Sequence, residues 1–187
     1  DAQGTEGGEL AWVLDAKTKK VLSYTNKLNI IYDKDITADP ETQKVIDKWN
    51  KIIDEKTKEV VGKTEVTLTR SYGTESLLGN LIADAIVYSA ESKGEKPDFA
   101  VTNSGGIRTD IEKGNINQKD IIGAFPFPNA LTVLNLSGKD IISMFEHAAG
   151  LTNGVLQVSH GLVMEYDPAK EAGSRITKLE LNGKKID

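Results

Sequence analysis

The segment Asn103-Ser104-Gly105-Gly106-Ile107-Arg108 sets an amide and a guanidinium at the two ends of a Gly-Gly turn. Either group can hydrogen-bond a sugar hydroxyl, a carbonyl or an anionic oxygen. The glycines make φ > 0 available to a tight turn and keep Cβ atoms out of a ligand's way. An ordinary turn with a surface arginine has the same composition, so this segment alone leaves both readings open. A second segment, Gly123-Ala124-Phe125-Pro126-Phe127-Pro128-Asn129-Ala130, adds a different chemistry. Pro126 and Pro128 fix φ and bar regular structure. A rigid loop of this kind can hold an aromatic face for stacking on a planar ring, although either ring could instead plug the core. In an extended segment, Phe125 and Phe127 point in different directions, so one can be core while the other faces out. Metal chemistry finds little here. There is no cysteine, and neither His147 nor His160 has a cysteine, a second histidine or a carboxylate at metal-ligand spacing. Both histidines read as structural.

The elements that must position these residues are legible around them. Asp98–Thr102 is a short apolar strand closed by Asn103. Upstream, Glu65–Arg70 alternates as a strand and leads through Ser71-Tyr72-Gly73 into a helix from about Thr74 to Ala90, with Leu77, Leu78, Leu81, Ile82 and Ala85 as its buried face. Downstream, Asn117 caps a short helix, Gln118–Ile122, and the Phe-Pro loop leads to a strand, Leu131–Leu136. Ser137-Gly138-Lys139-Asp140 forms a capping box with Asp in place of Glu. It opens a helix that ends at Gly150, with Ile141, Ile142, Phe145 and Ala148 facing inward. Val163–Tyr166 and Arg175–Leu181 are strands, and Asn182-Gly183 is a type I′ hairpin turn. The returning strand Lys184–Asp187 has barely begun, which predicts a frayed edge and a truncated domain.

The N-terminal part reads separately. Residues 1–8 are rich in glycine and acids and are expected to be loose. Glu9–Leu14 and Val21–Tyr24 form a hairpin around a long polar turn, and Asn29–Tyr32 is a third short strand. Three strands over so short a stretch make a poor domain alone. Trp12 reads as core or interface packing. Asp39 caps a helix with Pro40 at its first position; Val45, Ile46, Trp49, Ile52 and Ile53 share one face, and Gly62 is the expected C-cap.

The 187 residues suffice for one domain or one and a half, and a net charge of −5 argues against nucleic acid as a partner. A mononucleotide needs only one or two local arginines. No stretch spans a membrane and no signal peptide is present. The lack of cysteine is compatible with an exported bacterial protein.

Asn103–Arg108, then Pro126-Phe127, Leu136-Ser137-Gly138 and Phe145-Glu146-His147, resemble in order the C-terminal domain of the 5′-nucleotidase family. That family includes ecto-5′-nucleotidases, bacterial UDP-sugar hydrolases and 2′,3′-cyclic-nucleotide phosphodiesterases. The resemblance runs from about Asp39 onward and is fainter before it. It implies an α+β fold, a mixed β-sheet with packed helices. Residues 1–36 would be the tail of a metallophosphoesterase domain, 37–62 a linker helix, and 63–187 the substrate-binding domain. Gly79–Ala85 also resembles a family motif, before which an arginine contacts substrate. Arg70 is the available arginine but sits further from Gly79 than in the family, so either the loop has an insertion or Tyr72 holds the arginine's position.

The resemblance makes Phe127 the base-stacking ring, with Asn103, Gly105, Arg108, Asn129 and Arg70 around ribose and neighbouring groups of a nucleotide or nucleoside. A second ring and an acidic Gly-Asp segment would lie beyond Asp187. Two divalent metal ions are expected in the N-terminal metallophosphoesterase domain; its Asp-x-His and Gly-Asn-His signatures do not occur here. No cofactor and no hydrolytic activity are therefore expected of this chain, and a secreted, periplasmic or cell-surface location is implied. The competing class is a non-enzymatic surface module that binds nucleosides, sugars or a protein.

Overall fold

A computed structural model describes residues 6–32 and 37–187. Two expectations fall partly outside these residues: looseness at 1–5, and the segment 33–36 at the end of the proposed N-terminal tail. The chain divides into two compact units, Asp1–Ile52 and Ile53–Asp187.

In the first unit, strand β1 (Glu6–Leu14) pairs antiparallel with β2 (Val21–Ile30). Residues 6–8 are not loose, because they pair with residues 28–30. The expected third strand also disappears. The chain does not turn between Tyr24 and Asn29, so Asn29 and Ile30 simply extend β2. The Asp15 carboxylate closes the turn by accepting from the Thr18 N–H and hydroxyl and the Lys17 N–H. Trp12 is 59% exposed, so it is not core within this unit.

Helix α1 (Pro40–Thr57) starts where expected, with Asp39 Oδ1 accepting the Thr42 N–H at 2.8 Å. No residue of α1 is buried, and Val45, Ile46, Trp49 and Ile53 stay exposed. The helix stops at Thr57, well short of Gly62. The β-branched pair Val60-Val61 enters strand β3 (Val60–Thr64) instead. Gly62 sits within that strand beside a register shift. The strand expected over Glu65–Arg70 shrinks to one bridge, Leu68 with Ile111.

The second unit continues with α2 (Leu77–Glu91), β4 (Val101–Asn103), β5 (Gly114–Asn117), α3 (Gln118–Ala124), α4 (Gly138–Ala148), β6 (Leu156–Val158), β7 (Leu162–Tyr166), β8 (Ile176–Leu181) and β9 (Lys184–Lys185). Strands β3 and β5 pair, β4 pairs with β6, and β7, β8 and β9 form one sheet. All these pairs are antiparallel. The expected α+β class is observed, with helices packed on small sheets. One core gathers Leu78, Ile107, Ile111, Ile116 and Ala124. A second centres on Phe145, Leu162 and Leu179, with Phe99, Val101 and Leu156 against them.

Capping follows the sequence closely. Asn117 with Asp120, and Ser137 with Asp140, both form reciprocal capping boxes. The buried face of α2 is rotated from expectation. Leu78, Gly79, Ala83 and Ala90 are buried, while Leu77 and Leu81 are 52% and 46% exposed and Ala85 is exposed. Small side chains let the helix approach β6 and β4 closely; Leu77 and Leu81 turn outward, while Leu78 and Ile82 pack on the core as expected.

Leu131–Leu136 forms no strand. Apolar and β-branched residues favour a strand, but ladder pairing with another strand is needed to make one, and this segment makes none with any described strand. The segment instead lines a cleft of about 280 Å³ with Phe99, Ala100 and Val101. At the end of the chain, Asn182 and Gly183 adopt φ of 51° and 76°, as a type I′ turn requires. The short β9 is paired, and the Ile186 N–H continues the ladder to Leu179 O at 3.1 Å.

Glu146, on α4, clamps the loop before β8. Its carboxylate accepts N–H groups from Ile176 at 2.7 Å and from Arg175 and Gly173 at 3.1 Å. The Ile176 bond first, then those from Arg175 and Gly173 and the Arg175 charge, hold the carboxyl below its ordinary value of 4.5. A carboxyl depressed by folding stabilises the fold above its unfolded value and loses that contribution as pH falls through the lower folded value. Protection of the Gly173, Arg175 and Ile176 amides, taken relative to their intrinsic exchange rates, should therefore fall selectively as pH drops through the lowered value of the Glu146 carboxyl. In Glu146→Gln it should already be lower at pH 7. Equal protection of these amides in both proteins at pH 7 would dismiss the clamp.

Candidate functional site

The Gly-Gly turn does not use the left-handed freedom of its glycines. Ser104–Gly106 is one turn of 3₁₀ helix, closed by the Ile107 N–H to Ser104 O at 3.1 Å. Neither Gly105 nor Gly106 has positive φ. What the buried Gly106 allows is close approach, and Gly105 has only ordinary contacts. A Cβ on Gly105 would lie 3.4 Å from Asn103 Nδ2, and one on Gly106 would lie 3.3 Å from Phe125 Cε2 and 3.4 Å from Asn103 Oδ1. A Cβ on Gly106 would thus crowd both the Phe125 ring and the Asn103 amide.

That ring joins the two loops singled out by the sequence. The Arg108 N–H donates to Ala124 O at 2.8 Å, and Phe125 packs on the Leu78 and Ile107 core. Phe127, two residues later, is 48% exposed. Across Pro128 the Asn129 N–H returns to Phe127 O at 2.8 Å, which tightens the loop. Burial therefore separates the two rings as alternation predicts, one inside and one outside. Asn129 is exposed on the same loop.

The arginines meet around Tyr72. Arg108 Nη1 donates to the Tyr72 hydroxyl and to Gly105 O, each at 3.2 Å. The Arg70 guanidinium lies over the Tyr72 ring, 4.9 Å from its centroid. The Arg70 N–H is held by Asp110 Oδ1 at 2.8 Å. Neither guanidinium takes part in a salt bridge among the described residues. Arg70, Tyr72, Asn103, Gly105 and Arg108 therefore form one cluster, joined through Ala124 to the loop of Phe127 and Asn129.

Residues behind this cluster hold it in place. Tyr72 O accepts the Val155 N–H at 2.8 Å and the Ser104 hydroxyl at 3.2 Å, and Ser104 N donates to Val155 O at 3.2 Å. Gln157, 1% exposed on β6, accepts from Ser76 N and Oγ at Oε1 and donates from Nε2 to Thr74 O. It fixes the turn between Tyr72 and α2. Ser104 and Gln157 carry no signal in the sequence, because what matters is a partner tens of residues away. Tyr72 had one, as the residue standing where an arginine was sought.

Metal donors do not gather here. Among the described residues no group of three or more His, Cys, Asp or Glu is placed to hold a metal ion. His160 lies in a turn, its backbone N–H bonded to Asp84 Oδ1 at 2.6 Å. No described helix is long and apolar enough to cross a membrane.

Known proteins match this chain over most of its length. The family described as 5′-nucleotidase, C-terminal domain, matches residues 57–187. An apyrase of Tabanus yao is 28% identical over 172 residues, covering 84% of this chain and 31% of the apyrase. A snake venom 5′-nucleotidase of Crotalus adamanteus is 27% identical over 190 residues, 93% of this chain and 32% of that protein. The crystal structure of a 5′-nucleotidase precursor from Thermus thermophilus superimposes with a TM-score of 0.75 at 28% identity, over 98% of this chain and 38% of that one. The chain thus spans about a third of the length of these relatives, which come from animals as well as a bacterium.

Proposed function

This chain belongs to the 5′-nucleotidase family as its C-terminal domain, and from that premise we propose that it is the nucleotide-recognition domain of a secreted, periplasmic or cell-surface nucleotidase. In this reading the base stacks on Phe127, and Asn103, Gly105, Arg108, Asn129 and Arg70 hold the ribose and its neighbouring polar groups. One observation carries the proposal. Two guanidiniums without a salt bridge among the described residues flank a Gly-Gly turn that is hydrogen-bonded to the loop presenting an exposed phenylalanine. Such arginines suit hydroxyl and anionic oxygens, and an exposed ring on a proline-braced loop suits a base.

His147 and His160, without a third donor among the described residues, do not fit a dimetal centre. The two divalent ions that activate water for phosphate-ester hydrolysis belong, in this reading, to an N-terminal metallophosphoesterase domain. No hydrolytic step is assigned to the residues of this chain. Residues 1–36 then form the tail of that domain and α1 the linker. The exposed apolar side chains on both faces of the β1–β2 hairpin support such a role. Export is supported by a relative whose name places it in venom.

AMP titrated into the ¹⁵N-labelled chain should shift the amides of Asn103, Gly105, Arg108 and Phe127 together. A single stacking face predicts a dissociation constant on the order of millimolar. Shifts confined to another surface would reject the site.

A further inference from the structure

We propose that Tyr72 is the positioning residue of this site. Its ring carries Arg70 and its hydroxyl holds Arg108, so the two guanidiniums are presented as a fixed pair. The proposal rests on the reading of the site as one for nucleotides. It goes beyond that reading in assigning a task to a residue that need not touch the ligand.

The argument begins with charge. Two guanidiniums brought to one side chain repel each other, and no salt bridge among the described residues offsets them. Tyrosine offers both kinds of compensation. Its π face attracts a cation, which the 4.9 Å approach of Arg70 uses. Its hydroxyl oxygen accepts a charge-assisted hydrogen bond, which Arg108 makes at 3.2 Å. Packing does not account for Tyr72, since the residue is 41% exposed.

The stand itself is rigid. Tyr72 O is bonded to Val155 N and to the Ser104 hydroxyl, so the backbone is tied to the segment before β6 and to the Gly-Gly turn at once. Gly154, at φ +127°, keeps this passage open, because a Cβ there would run into Ser104 Oγ. Arg108 is gripped a second time by Gly105 O. An arginine side chain has many rotamers to lose on binding. Holding both in advance lowers that cost, so the benefit appears as affinity without a new contact.

The two contacts are separable by substitution. Tyr72→Phe keeps the ring under Arg70 and removes the acceptor for Arg108. Tyr72→Ala removes both. In the full 187-residue chain without ligand, arginine side-chain NMR should show ring-current shifts of Arg70 that persist in Tyr72→Phe and vanish in Tyr72→Ala. The Arg108 guanidinium should become mobile in both variants. With AMP as probe, Tyr72→Phe should weaken binding about threefold to tenfold, the range of one hydrogen bond. Tyr72→Ala should weaken it beyond the Tyr72→Phe loss.

Unchanged Arg108 mobility and unchanged AMP affinity in Tyr72→Phe would overturn the proposal. So would Arg70 ring-current shifts that survive Tyr72→Ala in the ligand-free chain. If wild type fails to bind AMP at all, the nucleotide reading falls, and the ligand-free arginine signals still decide whether Tyr72 holds the pair.

Discussion

Phe127→Ala should abolish the AMP-induced shifts at Asn103, Gly105 and Arg108 while leaving the unfolding midpoint nearly unchanged. The ring is 48% exposed on a loop braced by two prolines, so its removal opens no cavity. Loss of base stacking costs about 1–3 kcal/mol, or roughly tenfold to a hundredfold in affinity. From a millimolar start, that places binding beyond detection. Phe125→Ala should do the reverse. Its ring packs on the Leu78–Ile107 core and lies 3.3 Å from where a Cβ on Gly106 would stand. Truncation there should cost about 2–3 kcal/mol of stability, below the range for a fully buried phenylalanine. Denaturant unfolding of both variants, paired with AMP titration, checks this. A large stability loss in Phe127→Ala with AMP binding intact would reverse the assignment of the two rings.

The second large effect is expected from the smallest change. Gly79→Ala replaces a poor helix former by the best one, worth about 1 kcal/mol in favour of the variant in an exposed helix interior. At this position the sign should invert. The added Cβ would fall on the Gln157 side chain, 2.5 Å from its Cδ and 2.6 Å from its Cγ. Gln157 cannot swing aside cheaply. It is 1% exposed, and its amide is bonded to Ser76 N, Ser76 Oγ and Thr74 O. Overpacking and disrupted buried hydrogen bonds together should cost about 2–4 kcal/mol. Gly79→Ala combined with Gln157→Ala should be less destabilised than the sum of the two single changes. A Gly79→Ala midpoint equal to or above wild type in chemical denaturation would refute this account.

These residues also show what could be read beforehand. Local signals were legible. The caps at Asp39, Asn117 and Ser137 were visible from side chains that bond within three residues, and the Asn182-Gly183 turn from its own dipeptide. Signals that need a partner were not. Leu131–Leu136 has the composition of a strand and forms no ladder with any described strand. The face of α2 is legible only in part: Leu78 and Ile82 pack on the core as expected, while Leu77, Leu81 and Ala85 do not, because the close approach of β6 selects Gly79 and Ala83. Gly62 looked like a helix stop because the pull of Val60-Val61 toward β5 is invisible until β5 is known. Around the Gly-Gly turn, the split between Phe125 and Phe127 follows from alternation, while the choice of Phe127 as the outward ring comes from the resemblance. The role of the turn itself was not legible, since Gly106 serves there for proximity and not for φ.

Gln157 and the β4–β6 pair set the order in which this surface can come into being. Every residue assigned to ligand contact lies before Ala130, yet among the described strands β4 pairs only with β6, where Asn103 meets Leu156. The bond from Ser76 to Gln157 closes a separation of 81 residues. During synthesis on a ribosome, the residues proposed to bind therefore emerge long before they can be arranged. The loops would remain an unassembled set until the stretch around Val155–Val158 has left the exit tunnel, so the surface proposed for recognition takes shape late.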